Sequence, residues 1–347
     1  MPFMTSSWQW DLVIALFAGV ALLAVGYIYE KAAEWKEKKV HPAFGRLVAV
    51  RDHKLHLFYK ASVGPTVVIE QGAGEPSRLW WPVRDKIAEF AGVCTYDRAG
   101  YGWSEPVAAG RTIAERAEEL HTLLANASIP GPYILVAHSY GGFIVRCFAR
   151  NYPDQTAGLV FVDTPEESAF FRREILNFYS RLSFINKAVE LVARFGVLRL
   201  LGQLFPLDHV GFSFVRPAEY SAAGDDLASL QLVKVPIGNF GGGGSLGDLP
   251  LAVITHGQPF PGPFSILEKG WSDGQKRLAA LSTNSLLIRA NNSNHMIQVD
   301  EPGLVVDAIR RVHVAACNKV RLARAFTTPE GNPIELWPQP AGRDAPH

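Results

Sequence analysis

From Leu12 to Tyr29 the chain runs eighteen residues without a charge, LVIALFAGVALLAVGYIY, and no amide or acidic side chain interrupts it at helical spacing. That length nearly spans the hydrocarbon core of a bilayer as an α-helix, whereas an amphipathic core helix would carry polar positions on one face. Trp8, Trp10, Tyr27 and Tyr29 stand where interfacial aromatics belong. A cleaved signal peptide is the competing reading, but it calls for a basic leading region and a shorter apolar stretch. The leading MPFMTSSWQWD holds neither Lys nor Arg. The pattern predicts a membrane anchor over residues 1–30 and a charged linker over 31–44, ending near Pro42. Lys31, Lys36, Lys38 and Lys39 all follow the span, so the positive-inside rule predicts that the rest of the chain is cytoplasmic.

Beyond Gly45 the pattern changes to short β-rich runs separated by helical spacing. GRLVAVR and KLHLFYK, parted by Asp52-His53, predict an opening hairpin. TVVIE (66–70), GVCTY (92–96), YILVA (133–137), GLVFVD (158–163), LAVIT (251–255) and SLLIRA (285–290) follow. Most are continuously apolar, as strands covered on both faces should be, and their alternation with helices predicts a mostly parallel α/β sheet. Ile113, Ala117, Leu120, Leu123 and Leu124 fall at helical spacing, with Thr112 and Glu115 placed as a capping box. Asp300 is the expected N-cap of the last helix, with Pro302 in its first turn.

The alternation stops between residues 164 and 249. That stretch holds the apolar FINKAVELVARFGVLRLLGQLF (184–205) and a glycine run at Gly241 to Gly244. A long helical excursion between two sheet strands predicts a cap over a site. The chain then divides into a core from 45 to 163, a helical cap insertion from 164 to 249, a second part of the core from 250 to 326, and a loose Pro- and Gly-rich tail from 327 to 347.

Composition narrows the class. Hydrophobic residues at 48% support a large buried core, and 34 Lys and Arg against 33 Asp and Glu give no basic stripe outside the N-terminal flank, so no nucleic-acid partner is expected. Cys94, Cys147 and Cys317 are too sparse and too far apart for a disulfide framework or a zinc site. No dinucleotide fingerprint or metal cluster follows any strand, so neither cofactor nor metal is expected.

The sharpest chemical signal is Tyr133-Ile-Leu-Val-Ala-His-Ser139-Tyr-Gly-Gly142 with a helical run after it. A strand that ends in small-x-Ser-x-Gly and turns abruptly into a helix describes a nucleophile elbow, with Ala137 and Gly141 as the small positions. The turn would lift the Ser139 hydroxyl above the strand ends and aim the backbone N–H of Tyr140 at a developing oxyanion.

With these segments in this order, the chain from about Gly45 to Cys317 resembles the α/β-hydrolase superfamily: a mostly parallel eight-stranded sheet flanked by helices, here with a helical cap and one N-terminal transmembrane helix. The resemblance implies that Gln71-Gly72-Ala73-Gly74 is the oxyanion loop, although Gln replaces the usual His, and that the backbone N–H of Ala73 is the second donor. Asp97-Arg98-Ala-Gly-Tyr-Gly102-Trp-Ser104 resembles a segment whose role in the superfamily is structural. His295, on the loop after the last strand, stands where these enzymes carry the general base. Superfamily members usually place the acid after the seventh strand, but that loop, from His256-Gly257, has no carboxylate before Glu268. Asp163, at the end of the sixth strand, is the alternative some members use and is the expected acid; Asp273, Glu268 or no acid at all stay open. His138 is expected to point away from the reaction.

The implied activity is hydrolysis of a lipophilic carboxylic ester through an acyl-enzyme. Acyl transfer by the same mechanism, or a non-catalytic ligand-binding protein on the same fold, are the alternatives.

Overall fold

In a computed structural model, which describes residues 7–40, 43–204, 216–233 and 245–322, the apolar runs pair into one sheet. Its strands are β1 (Arg46–Val50), β2 (His53–Lys60), β3 (Thr66–Glu70), β4 (Val93–Tyr96), β5 (Tyr133–His138), β6 (Thr156–Val162), β7 (Leu251–His256) and β8 (Ser285–Ala290). They lie in the order β1-β2-β4-β3-β5-β6-β7-β8. The hairpin β1–β2 joins antiparallel at one edge, and every pairing from β4 to β8 is parallel. Strands β3 to β7 are buried almost throughout, which is why their sequences are continuous apolar runs. At the hairpin the turn is one residue earlier than expected. Arg51 takes a positive φ of 56°, and His53 starts β2 because its ring is buried against Glu119 at 3.0 Å.

The helices are α1 (Ser7–Val40), α2 (Trp81–Ile87), α3 (Ile113–Asn126), α4 (Gly141–Asn151), α5 (Glu167–Phe170), α6 (Arg173–Ala193), α7 (Val197–Leu204), α8 (Pro217–Ser229), α9 (Trp271–Ala279), α10 (Ile297–Asp300) and α11 (Pro302–Asn318). Successive strand residues face opposite ways, so each sheet face has its own packed layer. Val67, Ile69 and Val136 meet α2 and α11 through Val83, Ile87, Ile309 and Val312. Val68 and Leu135 meet α3, α4 and α9 through Leu120, Phe148 and Leu278. The capping box forms as read: Thr112 Oγ1 accepts from the N–H of Glu115 at 3.2 Å, and the Glu115 carboxylate accepts from that of Thr112 at 2.7 Å. The last helix differs. Asp300 closes the short α10 and Glu301 takes the N-cap of α11, its carboxylate turned to the N–H of Asn292 and the hydroxyl of Ser293.

Between β6 and β7 the chain leaves the sheet for α5 to α8. The apolar part of this insertion, from 184 to 204, is carried by α6 and α7, broken at Gly196, whose φ of +72° a side chain would resist. The glycine run 241–244 and the tail 327–347 lie outside the described residues. Residues 31–40, expected as linker, continue α1 without a break, since EKAAEWKEKK is rich in helix formers and Lys31 pairs with Glu34 at 2.8 Å. Helix α1 contacts the fold from Gly26 to Glu30 and again at Glu37, while residues 8–25 are exposed throughout.

Candidate active site

Strand β5 delivers Ser139 at a φ of +49°, a left-handed conformation that a non-glycine residue holds only when its surroundings force it. The forcing contacts are visible two and three residues on. A Cβ at Gly141 would fall 2.7 Å from the carbonyl oxygen of Gln71 and 2.8 Å from that of Glu70, and one at Gly142 would fall 2.5 Å from Thr164. The strand-to-helix turn therefore closes only with glycine at both positions, and it leaves the Ser139 side chain facing the cavity above the sheet edge.

From there a chain of hydrogen bonds runs across three elements. The Ser139 hydroxyl lies 2.9 Å from His295 Nε2, and His295 Nδ1 lies 2.7 Å from Asp163 Oδ2. Ser139, His295 and Asp163 are thus brought together. The other candidates for the acid are not: Asp273 is 69% exposed and pairs with Lys276, and Glu268 meets His256 rather than His295. Asp163, fully buried at a φ of +47°, also accepts from Trp271 Nε1 at 3.0 Å, from the backbone N–H of His256 at 3.1 Å and from His256 Nδ1 at 2.7 Å. Burial pushes its carboxyl up, but the two imidazoles outweigh that and hold it well below the usual range, so it stays an anion.

His138 is absent from the lining of the cavity that Ser139 faces, but it packs against His295. It is fully buried, its ring centroid 4.6 Å from that of His295, with Nε2 2.8 Å from the His295 carbonyl oxygen and Nδ1 2.6 Å from Glu75. Burial disfavours its charge, but Glu75 more than compensates and raises it, while His138 in turn holds Glu75 low. A buried ion pair therefore supports the His295 loop from beneath. His295 itself is lowered, first by burial and then by repulsion from His138. A base must be neutral to act, so the rate should rise with pH through a midpoint below the ordinary histidine value of about 6.5. His138→Gln removes the repelling charge and should move that limb of kcat/KM to higher pH; a limb that does not move would show that the two rings are not coupled.

His256 is the second group the sequence did not flag. It bridges the buried Asp163 and Glu268, whose Oε1 lies 3.3 Å from its Nε2, and these two carboxylates overcome burial and raise it. Its place at the end of β7, where the superfamily pattern puts the acid, was the available signal.

Above these residues lies a cavity of about 670 Å³, within the range that holds a drug-sized ligand. Ser139 and His295 open into it, and its walls are largely apolar: Tyr179 and Leu182 from α6, Leu227 and Leu230 from α8 and its end, Phe260 and Phe264 from the segment after β7, and Val299 from α10. Ala73 and Tyr140 line it as well. Among the described residues, neither backbone N–H has a hydrogen-bond partner, so both remain available to an oxygen placed beside Ser139. Among the described residues no group of three His, Cys, Asp or Glu is arranged to hold a metal ion.

A family model described as the alpha/beta hydrolase fold matches residues 65–203. The chain is 29% identical over 264 residues to the uncharacterized protein YqjL of Bacillus subtilis, covering 75% of this chain and 88% of that protein. It is 35% identical over 107 residues to an AB hydrolase superfamily protein of Gibberella zeae, covering 30% of this chain and 33% of that one. Among solved structures, the enol-lactonase of Burkholderia xenovorans superposes with a TM-score of 0.58 at 15% identity, over 77% of this chain and 99% of that one. A thermophilic esterase of Thermogutta terrifontis does so at 0.56 and 19%, over 77% and 98%. At such identities the structural likeness is one of fold.

Proposed function

The chain belongs to the α/β-hydrolase superfamily, and from that premise we propose that it is a serine hydrolase of lipophilic carboxylic esters, held to a membrane by α1 with its catalytic domain on the cytoplasmic side. The observation that carries this reading is the unbroken hydrogen-bond chain from Ser139 through His295 to Asp163, opening into an apolar cavity.

In the proposed mechanism the Ser139 oxygen attacks the ester carbonyl carbon while His295 Nε2 takes its proton. The tetrahedral oxyanion is held by the backbone N–H groups of Ala73 and Tyr140, and the imidazolium by the Asp163 anion. The bond to the leaving alkoxide then breaks, with His295 delivering the proton to it. Water, deprotonated by the same imidazole, hydrolyses the acyl-enzyme. Two features support the membrane part: the exposed apolar stretch of α1 from Leu12 to Val25, and the lysines that follow it.

The deciding experiment is turnover of a p-nitrophenyl ester series of graded acyl length by the full chain and by Ser139→Ala. The wild type should favour medium and long chains, and the variant should lose all of them. Leu182→Trp, which narrows the cavity, should spare the acetate while lowering kcat/KM for longer esters. Each methylene that loses its place costs about 0.8 kcal/mol, about fourfold in rate. An equal loss at every chain length would mean that this wall does not hold the acyl chain.

A further inference from the structure

Helix α7 has an apolar stripe that, among the described residues, no other element covers. Val197, Leu200, Leu201 and Leu204 follow the i, i+3, i+4, i+7 spacing that places them on one face, and such a stripe normally packs into a core. Here all four are exposed, Leu200 at 52% and Leu204 at 63%. The one charge on the helix, Arg199, is turned the other way: its guanidinium makes two hydrogen bonds, at 2.8 and 2.9 Å, to Glu30 of α1. The exposed face is therefore wholly uncharged.

The junction with α1 says what should cover it. Glu30 is fully buried by this pairing and is the first charged residue after the apolar run that ends at Tyr29. One turn before it, a Cβ at Gly26 would lie 2.5 Å from the carbonyl oxygen of Phe195, and a Cβ at Gly196 would lie 2.6 Å from the Tyr29 ring. The turn before α7 is thus pressed against the last turn of the candidate membrane span. Arg199 and Arg216 extend the clamp along α1 to Glu37, at 3.5 and 2.9 Å. At 1.5 Å of rise per residue, Gly26 lies about 5 Å inside the end of the apolar run, a depth at which interfacial helices rest.

We propose that α7 lies in the membrane surface with its Val197–Leu200–Leu201–Leu204 stripe in the lipid, so that the cap itself, and not α1 alone, docks on the bilayer. This rests on α1 being a membrane span. It makes the bilayer a boundary of the cap, next to the cavity that would receive a lipophilic ester.

The test uses the full chain with Cys317→Ser, since Cys94 and Cys147 are buried, and one new thiol at Leu200→Cys carrying an environment-sensitive fluorophore. Asp154→Cys, exposed just before the N-terminal end of β6, is the control. In phosphatidylcholine vesicles, a lipid bearing a nitroxide near the top of its acyl chain should quench most of the emission at position 200 and none at 154, with iodide doing the reverse. If the protein floats with the vesicles but position 200 is quenched by iodide, α1 is anchored and the docking proposal fails. Protection at 200 from both quenchers, growing with protein density, would assign the stripe to a second copy and also overturn it. A chain that does not float removes the anchor and the proposal together. None of these readouts needs catalysis, so they stand or fall apart from the hydrolase reading.

Discussion

Replacing Ser139 with Ala, or His295 with Ala, should lower ester turnover by about 10⁴- to 10⁶-fold, with the double variant losing little more than either one. The two act on one proton: without the imidazole the hydroxyl is a weak nucleophile, and without the hydroxyl the imidazole has nothing to activate. Asp163→Asn should cost about 10⁴-fold, because an amide can donate to His295 Nδ1 and so favour the wrong tautomer. This aspartate has a second task. It also takes hydrogen bonds from His256 and Trp271, so the variant should lose stability as well, and the rate must be expressed per folded molecule. Single-turnover rates and acyl-enzyme trapping on the three variants check the scheme. Near wild-type activity in His295→Ala would sink it.

Much of the scaffold behind that site could be read in advance, and the reason is local. Strands such as TVVIE and SLLIRA have continuous apolar centres because both faces are covered, and their bounds in the fold match the sequence reading. The capping box at Thr112 and the tight Ser139 turn are written within a few residues. What could not be read depends on partners far along the chain. His138 pairs with Glu75, and His256 bridges Asp163 and Glu268; no spacing rule connects such pairs. The same holds for Asp300 and Glu301, adjacent acids of which only the three-dimensional path of the chain selects the cap. Asp163 was legible only as a position in a familiar order, and its convergence with His295 required the fold.

The segment around Arg98, read as structural, has a role the sequence did not disclose: it fastens the cap to the core. Arg98 is buried and donates to Glu70 at 2.7 Å, to the carbonyls of Gln71 and Gly72 on the loop after β3, and to Asp226 of α8 at 2.8 Å. Asp226 also accepts from Tyr101 and lies 3.2 Å from Arg116. Burial pushes its carboxyl up, but Arg98 and Arg116 outweigh that and hold it below the usual range. Asp226→Ala leaves two guanidinium groups buried without their shared anion, so it should destabilise the domain by about 3–5 kcal/mol, the cost of breaking a buried pair by removing one partner. That is a large share of the roughly 5–15 kcal/mol a domain has in total. Lys187→Ala, which removes the exposed partner of a loose pair to Asp225 at 3.8 Å on the same cap, should cost under about 1 kcal/mol. Because α8 also supplies Leu227 to the cavity wall, loosening it should raise KM for long-chain esters before it affects the acetate. Denaturant unfolding, read beside limited proteolysis of the cap, separates the cases. Equal midpoints for Asp226→Ala and Lys187→Ala would mean that the cap is held to the core by its apolar contacts and that the buried charges add nothing to its attachment.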